Sequence, residues 1–230
     1  MSKYNVGVIV PSRGLIFADT FKEILEDLSE TPHRLYWSHG VDLPDCFNKP
    51  ITRALSASHT HILIVEDDMV IPKGTLRALL KENKDIIACD YPVTKQGDGC
   101  VNYSDGDALF AGTGYMLIKR AVFDELKKPY FRSDVEWHIK GSRYEAHKVV
   151  KETYGKHDIN FGIQQYLRGK PIAISSIALG QRKLKSKGEA GTNIGMDNIE
   201  VWKKLKQAPD VGPIEFDFSA YPQIERYFYD

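Results

Sequence analysis

Cysteine is scarce in this 230-residue chain: Cys46, Cys89 and Cys100 are the only three, widely spaced and with no CxxC pair. That scarcity excludes a disulfide framework and a thiolate zinc site. An excess of either charge is also missing. Lys+Arg and Asp+Glu each number 31, which excludes a domain that holds nucleic acid mainly by bulk positive charge. A local basic patch stays open. No apolar run approaches the roughly 18 residues that a membrane span needs. The opening MSKYNVGVIVPSRG has no apolar stretch of signal-peptide kind. We therefore expect a cytoplasmic protein with no integral membrane segment. Internal repeats and low-complexity tracts are absent as well.

What is present is an ordinary globular balance, 42% apolar and 27% charged. A chain of this size buries roughly 70–75% of its unfolded surface and folds without staples. Residues 5–10 (NVGVIV) lead to Pro11 and read as a strand covered on both faces, because such strands are continuously apolar. Within 20–28, Phe21, Ile24, Leu25 and Leu28 recur at helical spacing. Residues 34–38 predict a strand, 47–57 a helix with Pro50 near its first turn, and 61–65 (HILIV) another buried strand. Pro72 and Gly74 mark a turn, 75–81 a helix, and 85–88 a strand. This alternation predicts an α/β fold, an open, mostly parallel mixed sheet with helices on both faces. Ligands of such sheets sit at the carboxyl ends of strands. Pro11-Ser12-Arg13 and Glu66-Asp67-Asp68 both fall there.

Beyond residue 93 the pattern weakens. Residues 94–107, rich in glycine, aspartate and polar groups, are expected to form a mobile loop. Residues 110–119 (FAGTGYMLIK) predict a glycine turn and a strand, and 121–126 a helix. Residues 127–156 show no clear period. Residues 157–169 predict a helix ended by Gly169, and 171–179 a strand. Residues 180–193 read as a basic loop and 198–206 as a short helix. The tail, 208–230, is aromatic and acidic, and is expected to dock on the domain or on a second subunit as a homodimer contact. His33, His59 and His61 read as structural or exposed, and His138 and His147 as surface groups.

Three consecutive carboxylates after a buried strand repel one another and lose hydration. A hard divalent cation would offset this, and oxygen ligands suit magnesium or manganese. A solvated acidic turn before Pro72 is the other reading. In extended geometry Glu66 and Asp68 share one side and Asp67 the other.

The segment HILIVEDDMVIPKGTLRALLKENKDIIACDYPV resembles the centre of GT-A-fold glycosyltransferases related to family 2, with a D-x-D motif after an apolar strand. FAGTGYMLIKRAVFDELKKPYF and HDINFGIQQYLRGKPIAISSIALGQ resemble their later segments, so the likeness spans roughly residues 5–182. It implies a transferase domain over 1–195, with a nucleotide-binding half near 1–92 and an acceptor half near 93–195, followed by a C-terminal helix and tail at 196–230.

The resemblance also implies roles. Glu66 and Asp68 stand at the D-x-D acids and would hold a divalent metal, manganese or magnesium, on the diphosphate of a nucleotide-sugar donor. Asp67 would meet the donor's ribose or sugar. Asp158 stands at the catalytic base of the inverting enzymes, after His157 where those enzymes carry an acid. As a helix-start residue it is expected to stay ionised through the macrodipole, which lowers its basicity. Gln181 stands where a metal-binding histidine is common. Arg182 and Lys183 would neutralise the diphosphate, or belong to a solvated basic loop. Pro11, Ser12 and Arg13 would contact the nucleotide. Asn48, Lys49 and Arg53 stand near an Arg-Asn pair whose arginine is replaced by Phe47. Gly112, Thr113 and Gly114 would let backbone approach sugar or acceptor, or form a plain turn.

The function implied is inverting transfer of a sugar to an acceptor hydroxyl, on a glycan or a modified DNA base. A nucleotidyltransferase would want a glycine-rich phosphate loop, and PSRGLIFADTF has one glycine. A non-catalytic nucleotide-sugar or glycan binding module of the same fold is the remaining alternative, suggested by Glu66, His157 and Gln181 at the three altered positions.

Overall fold

A computed structural model describes residues 3–12, 16–39, 44–93, 98–140, 143–149, 156–182 and 210–213. Arg13, Lys183, the helix expected at 198–206 and most of the tail lie outside these residues. The first half runs β1 (Val6–Ser12), α1 (Ala18–Leu28), β2 (His33–His39), α2 (Asp45–Leu55), β3 (His61–Val65), β4 (Met69–Val70), α3 (Thr75–Glu82) and β5 (Ile86–Asp90). Then come β6 (Val101–Ser104), β7 (Asp107–Ala111), β8 (Tyr115–Lys119) and α4 (Arg120–Asp124). The remainder is β9 (Val135–Lys140), β10 (Arg143–Val149), α5 (His157–Leu167), β11 (Ala173–Ala178), β12 (Gly180–Gln181) and β13 (Asp210–Pro213).

Six strands form the central sheet in the order β11-β5-β8-β3-β1-β2. Pairings β1–β2, β1–β3 and β5–β11 are parallel, while β8 runs antiparallel to both β3 and β5. The fold is the expected open, mostly parallel α/β sheet. Because β8 sits between β3 and β5, the early and late parts of the chain share one sheet. Alternate residues of each strand feed two cores. Val6, Val8, Val10, Leu63 and Val65 pack with α1 and α3 on one face. Ile9, Ile62, Ile64, Met116 and Ile118 pack with α2, α4 and α5 on the other. That two-sided cover is why VGVIV and HILIV are apolar throughout.

Helix α2 shows how local chemistry is compensated. It starts at Asp45, so Pro50 lies inside it rather than near its first turn. Proline has no N–H, so the carbonyl of Cys46, four residues earlier, loses its helical donor. The hydroxyl of Ser38, on β2, donates to that carbonyl instead.

Three expectations need correction. Part of the loop expected at 94–107 is a hairpin: β6 and β7 pair antiparallel across Asp105-Gly106, whose φ values are 51° and 87°. Asp-Gly suits such a turn because both positions need positive φ. The stretch 127–156, read as aperiodic, holds the hairpin β9–β10. The start of the region read as a basic loop is β12, which pairs with β4. Within the tail, β13 pairs with β10 of the same chain.

Burial holds His59 and His61 toward the neutral form. His59 lies between the Tyr36 hydroxyl (2.8 Å) and Asn5 Oδ1 (3.1 Å). Burial, with the charges of Arg34 and Arg120, lowers its pKa. Burial, with Lys119, lowers that of His61. Below the ordinary histidine value of 6.5 the unfolded chain therefore binds protons that the folded chain refuses, so stability falls as pH falls. Glu66, pushed up to about 8, works the other way over the same range, so His61 is isolated by comparison: on going from about pH 7.5 to 5.5 the urea-unfolding free energy of His61→Gln should gain on the parent's by about 1 kcal/mol. An unchanged slope in the variant would remove His61 from the account.

Candidate active site

Strand β3 delivers Glu66 to the carboxyl edge of the sheet. The Glu66 N–H donates to the Gly114 carbonyl at 3.0 Å. Because β8 runs antiparallel to β3, the turn that precedes it, Gly112-Thr113-Gly114, lies opposite the strand end. The Thr113 hydroxyl donates to Glu66 Oε1 at 2.6 Å and stands 3.4 Å from His157 Nε2. His157 opens α5, and Asp158 follows it. Thr113 thus joins β3, β8 and α5, and brings Asp158 to the three acids.

Packing fixes α5 at this place. The His157 ring lies on Phe47, with centroids 4.3 Å apart, and Phe131 stacks on Phe161 at 4.5 Å. Asn160 Nδ2 donates to the carbonyls of Arg132 (2.6 Å) and Val135 (3.1 Å). Phe47, from α2, and His157, from α5, thus meet as a tilted ring pair with 37° between their planes.

Both Glu66 and Asp158 keep part of their residue surface open, yet surrounding protein strips water from both carboxyls. Burial pushes the Glu66 carboxyl up to about 8, against the Thr113 hydrogen bond and with the help of Asp68, Asp158 and Asp67. Burial also raises the Asp158 pKa, opposed by His157 and by the Ile159 N–H, which donates to Asp158 Oδ1 at 2.8 Å. This corrects the expectation from the helix dipole alone: loss of water outweighs the helix terminus, and Asp158 is more basic than an exposed aspartate. Cys46 is pushed up to about 12, first by burial and then by Glu66, so it offers no thiolate at neutral pH.

Residues 67 and 68 form a turn, so strict alternation ends at Glu66. Asp67 is buried, and its carbonyl accepts the Phe17 N–H at 3.2 Å. Asp68 faces Gln181, whose Nε2 donates to Asp68 Oδ2 at 3.2 Å. The pairing of β4 with β12 sets this contact, with Gln181 opposite Met69. Among the described residues, no group of three or more His, Cys, Asp or Glu side chains is arranged to hold a metal ion. A cage of such side chains alone therefore does not fit. What fits is the sparser magnesium-type arrangement, in which one or two protein oxygens are completed by water and phosphate. Asp68 and the Gln181 amide oxygen suit it, while Glu66 is turned to Thr113.

Several expected donor contacts lie elsewhere. The Arg182 guanidinium is taken up by Glu23 (2.5 Å), by Thr20 (2.7 Å) and by the Met69 carbonyl. It clamps the end of β12 to α1. Asn48 holds the backbone of Phe131 at both ends of its amide (2.8 and 3.0 Å). Lys49 pairs with Asp45 at 2.7 Å, and Arg53 donates to the Trp37 carbonyl at 2.6 Å. Pro11 and Ser12 do end β1 at the same sheet edge as Glu66, because β1 and β3 are parallel. Reading the sequence missed Glu23, which carries no signal beyond its place on a helix, and Tyr91.

Tyr91 explains the glycines. A Cβ on Gly112 would lie 2.3 Å from the Tyr91 hydroxyl, and one on Gly114 2.5 Å from its ring. On that side the missing side chains make room for Tyr91, whose hydroxyl accepts the Gly114 N–H at 3.2 Å.

No family model and no curated protein matches the chain. Among solved structures it is similar to A197 from STIV, at 15% identity over 65% of this chain and 87% of that one, with a TM-score of 0.45. It is also similar to glucosyl-3-phosphoglycerate synthase from Mycobacterium tuberculosis in complex with Mn2+, UDP-glucose and phosphoglyceric acid. There the identity is 11% over 88% of this chain and 77% of that one, with a TM-score of 0.42. The same synthase with Mg2+ and UDP gives 13%, 88%, 76% and 0.44.

The Tyr91 packing is testable. Gly112→Ala is expected to cost about 2 kcal/mol through overpacking. Tyr91→Phe, which removes the clashing oxygen, should recover part of that loss in the double variant. Strict additivity in urea unfolding would show that the glycine serves something other than Tyr91.

Proposed function

We propose that this chain is a glycosyltransferase of the GT-A kind, moving a sugar from a nucleotide-diphosphate donor to an acceptor hydroxyl with inversion. The observation that supports it is that Thr113 joins Glu66 to His157, which leaves Asp158 close enough for its charge to act on Glu66. A partly dehydrated carboxylate facing a set of metal-type oxygen ligands suits an in-line displacement at an anomeric carbon.

In this reading Asp158 accepts the acceptor's hydroxyl proton as that oxygen attacks. Its raised pKa strengthens it for that task, and the Ile159 N–H orients one oxygen. Asp68 and Gln181 would hold manganese or magnesium, whose chemistry is Lewis-acid stabilisation of the departing diphosphate. Asp67, Pro11 and Ser12 are left to orient the donor. The aromatic wall of Phe47, His157 and Phe131 backs the base and excludes water from behind it. A non-catalytic donor-binding module is favoured by one observation: the Phe47–His157 stack stands where the resembling enzymes carry charge.

A panel of nucleotide diphosphates and nucleotide sugars, with manganese or EDTA, tests both readings. A ligand at about 100 times its dissociation constant should stabilise the fold by roughly 2.7 kcal/mol. We expect one nucleotide to do so with manganese, and Asp68→Ala to lose the effect. Asp158→Asn should keep donor binding and lower kcat by about 10²–10⁴-fold. The acid limb of the parent's rate profile should lie above 3.8, the ordinary aspartate value. Donor binding without turnover in the parent, across glycan and DNA acceptors, selects the binding module. No shift with any nucleotide sinks both.

A further inference from the structure

Glu66 and Asp68 are close neighbours at the end of β3, yet they have different partners. By strand alternation Glu66 falls on the face of Ile62 and Ile64, which α2 and α5 cover. Its carboxyl takes the Thr113 hydroxyl at 2.6 Å, and its N–H donates to the Gly114 carbonyl at 3.0 Å. Asp68 adjoins Met69, which belongs to the other core, and accepts from the Gln181 amide of β12 at 3.2 Å. The first acid is thus tied to the turn before β8, and the second to β12.

Thr113 is 1% exposed and stands 3.4 Å from His157 Nε2. A hydroxyl has one proton to give. Here it goes to Glu66, whose carboxylate has none to return, and whose neutral form would still offer a carbonyl oxygen. Toward His157 the hydroxyl therefore presents a lone pair, which an Nε2–H satisfies and a bare Nε2 repels. The other ring nitrogen agrees. Among the described residues, His157 Nδ1 is buried without a hydrogen-bond partner. Orphaned N–H groups are rarer in protein interiors than orphaned acceptors, so Nδ1 is the nitrogen to leave bare. Burial lowers the His157 pKa, against the charge of Asp158, which holds the ring toward its neutral, one-proton form. Phe47 and Phe131 pack against the ring, with centroids at 4.3 and 6.2 Å. That packing fixes where the ring lies but is blind to which nitrogen carries the proton. The hydrogen bond at the ring's edge decides it.

We propose that Glu66 is a positioning residue and not a metal ligand: acting through Thr113, it holds His157, the chain neighbour of Asp158, in the Nε2–H tautomer. This replaces the metal role that the D-x-D resemblance implies for Glu66. The metal half of the inference rests on the transferase reading, and the tautomer half does not.

Two measurements on the full chain test it. The imidazole nitrogen NMR resonances of His157, assigned by their loss in His157→Gln, report which nitrogen carries the proton. We expect Nε2–H in the parent and in Glu66→Gln, whose amide oxygen still accepts from Thr113. Glu66→Ala releases the hydroxyl proton to Nε2 and should move a measurable share of the ring to the Nδ1–H form. The second measurement is manganese affinity in the presence of adenosine or uridine diphosphate. Glu66→Gln should stay within about twofold of the parent, while Asp68→Ala should lose at least the roughly tenfold that removing a mere supporting group costs a metal site. An Nδ1–H ring in the parent, a ring indifferent to Glu66→Ala, or a Glu66→Gln variant as poor in manganese as Asp68→Ala overturns the proposal. Absence of manganese binding in the parent sinks the metal part of the transferase reading alone, and the His157 resonances then decide the proposal by themselves.

Discussion

Strand β8 runs against both of its neighbours, and the site depends on that reversal. A parallel strand in the same slot would bring its carboxyl end to the acids of β3. An antiparallel one brings the turn before it. Thr113 therefore arrives opposite Glu66, with its hydroxyl donating to that carboxyl and standing beside His157. Through this one residue the end of β3 and the start of α5 become neighbours. The glycines on either side are then required to admit Tyr91, which fills the space behind the turn. The position of Asp158, and hence any base chemistry it performs, follows from the direction of a strand it does not belong to.

The cleft is electrostatically lopsided. Four acids, Glu66, Asp67, Asp68 and Asp158, act on one another, as the upward shift of Glu66 to about 8 records. Arg182 donates its backbone N–H to the Asp68 carbonyl but commits its guanidinium to Glu23. Its positive charge is thus spent on joining β12 to α1.

Much of the sheet was legible in the sequence. VGVIV and HILIV are apolar without interruption because helices cover both of their faces. The acids after HILIV stood out because like charges in a row oppose burial. The helix beginning at His157 was read from its own residues, whereas the direct hydrogen bond of Gln181 to Asp68 is a finding of the structure. Other features stayed hidden for physical reasons. Composition made 94–107 look like a loop, although Asp105-Gly106 is the turn of a hairpin. Pro50 reads as a first-turn proline, but α2 starts earlier, at Asp45, and Ser38 from another strand serves the carbonyl that Pro50 leaves without a donor. Arg182 read as a phosphate ligand because a sequence does not show that Glu23 reaches it first.

By itself the sequence determined the local terms: which segments are strands or helices, where three acids must crowd, and which residues can ionise. These depend on neighbours along the chain, through steric preference and apolar period. The tertiary structure alone decided partnership: the reversal of β8, the joining of His157, the neighbour of Asp158, to Glu66 through Thr113, and the capture of Arg182. It also decided basicity. Asp158 at a helix start would by local rules be a weaker base, and only the loss of water imposed by the surrounding chain raises its pKa.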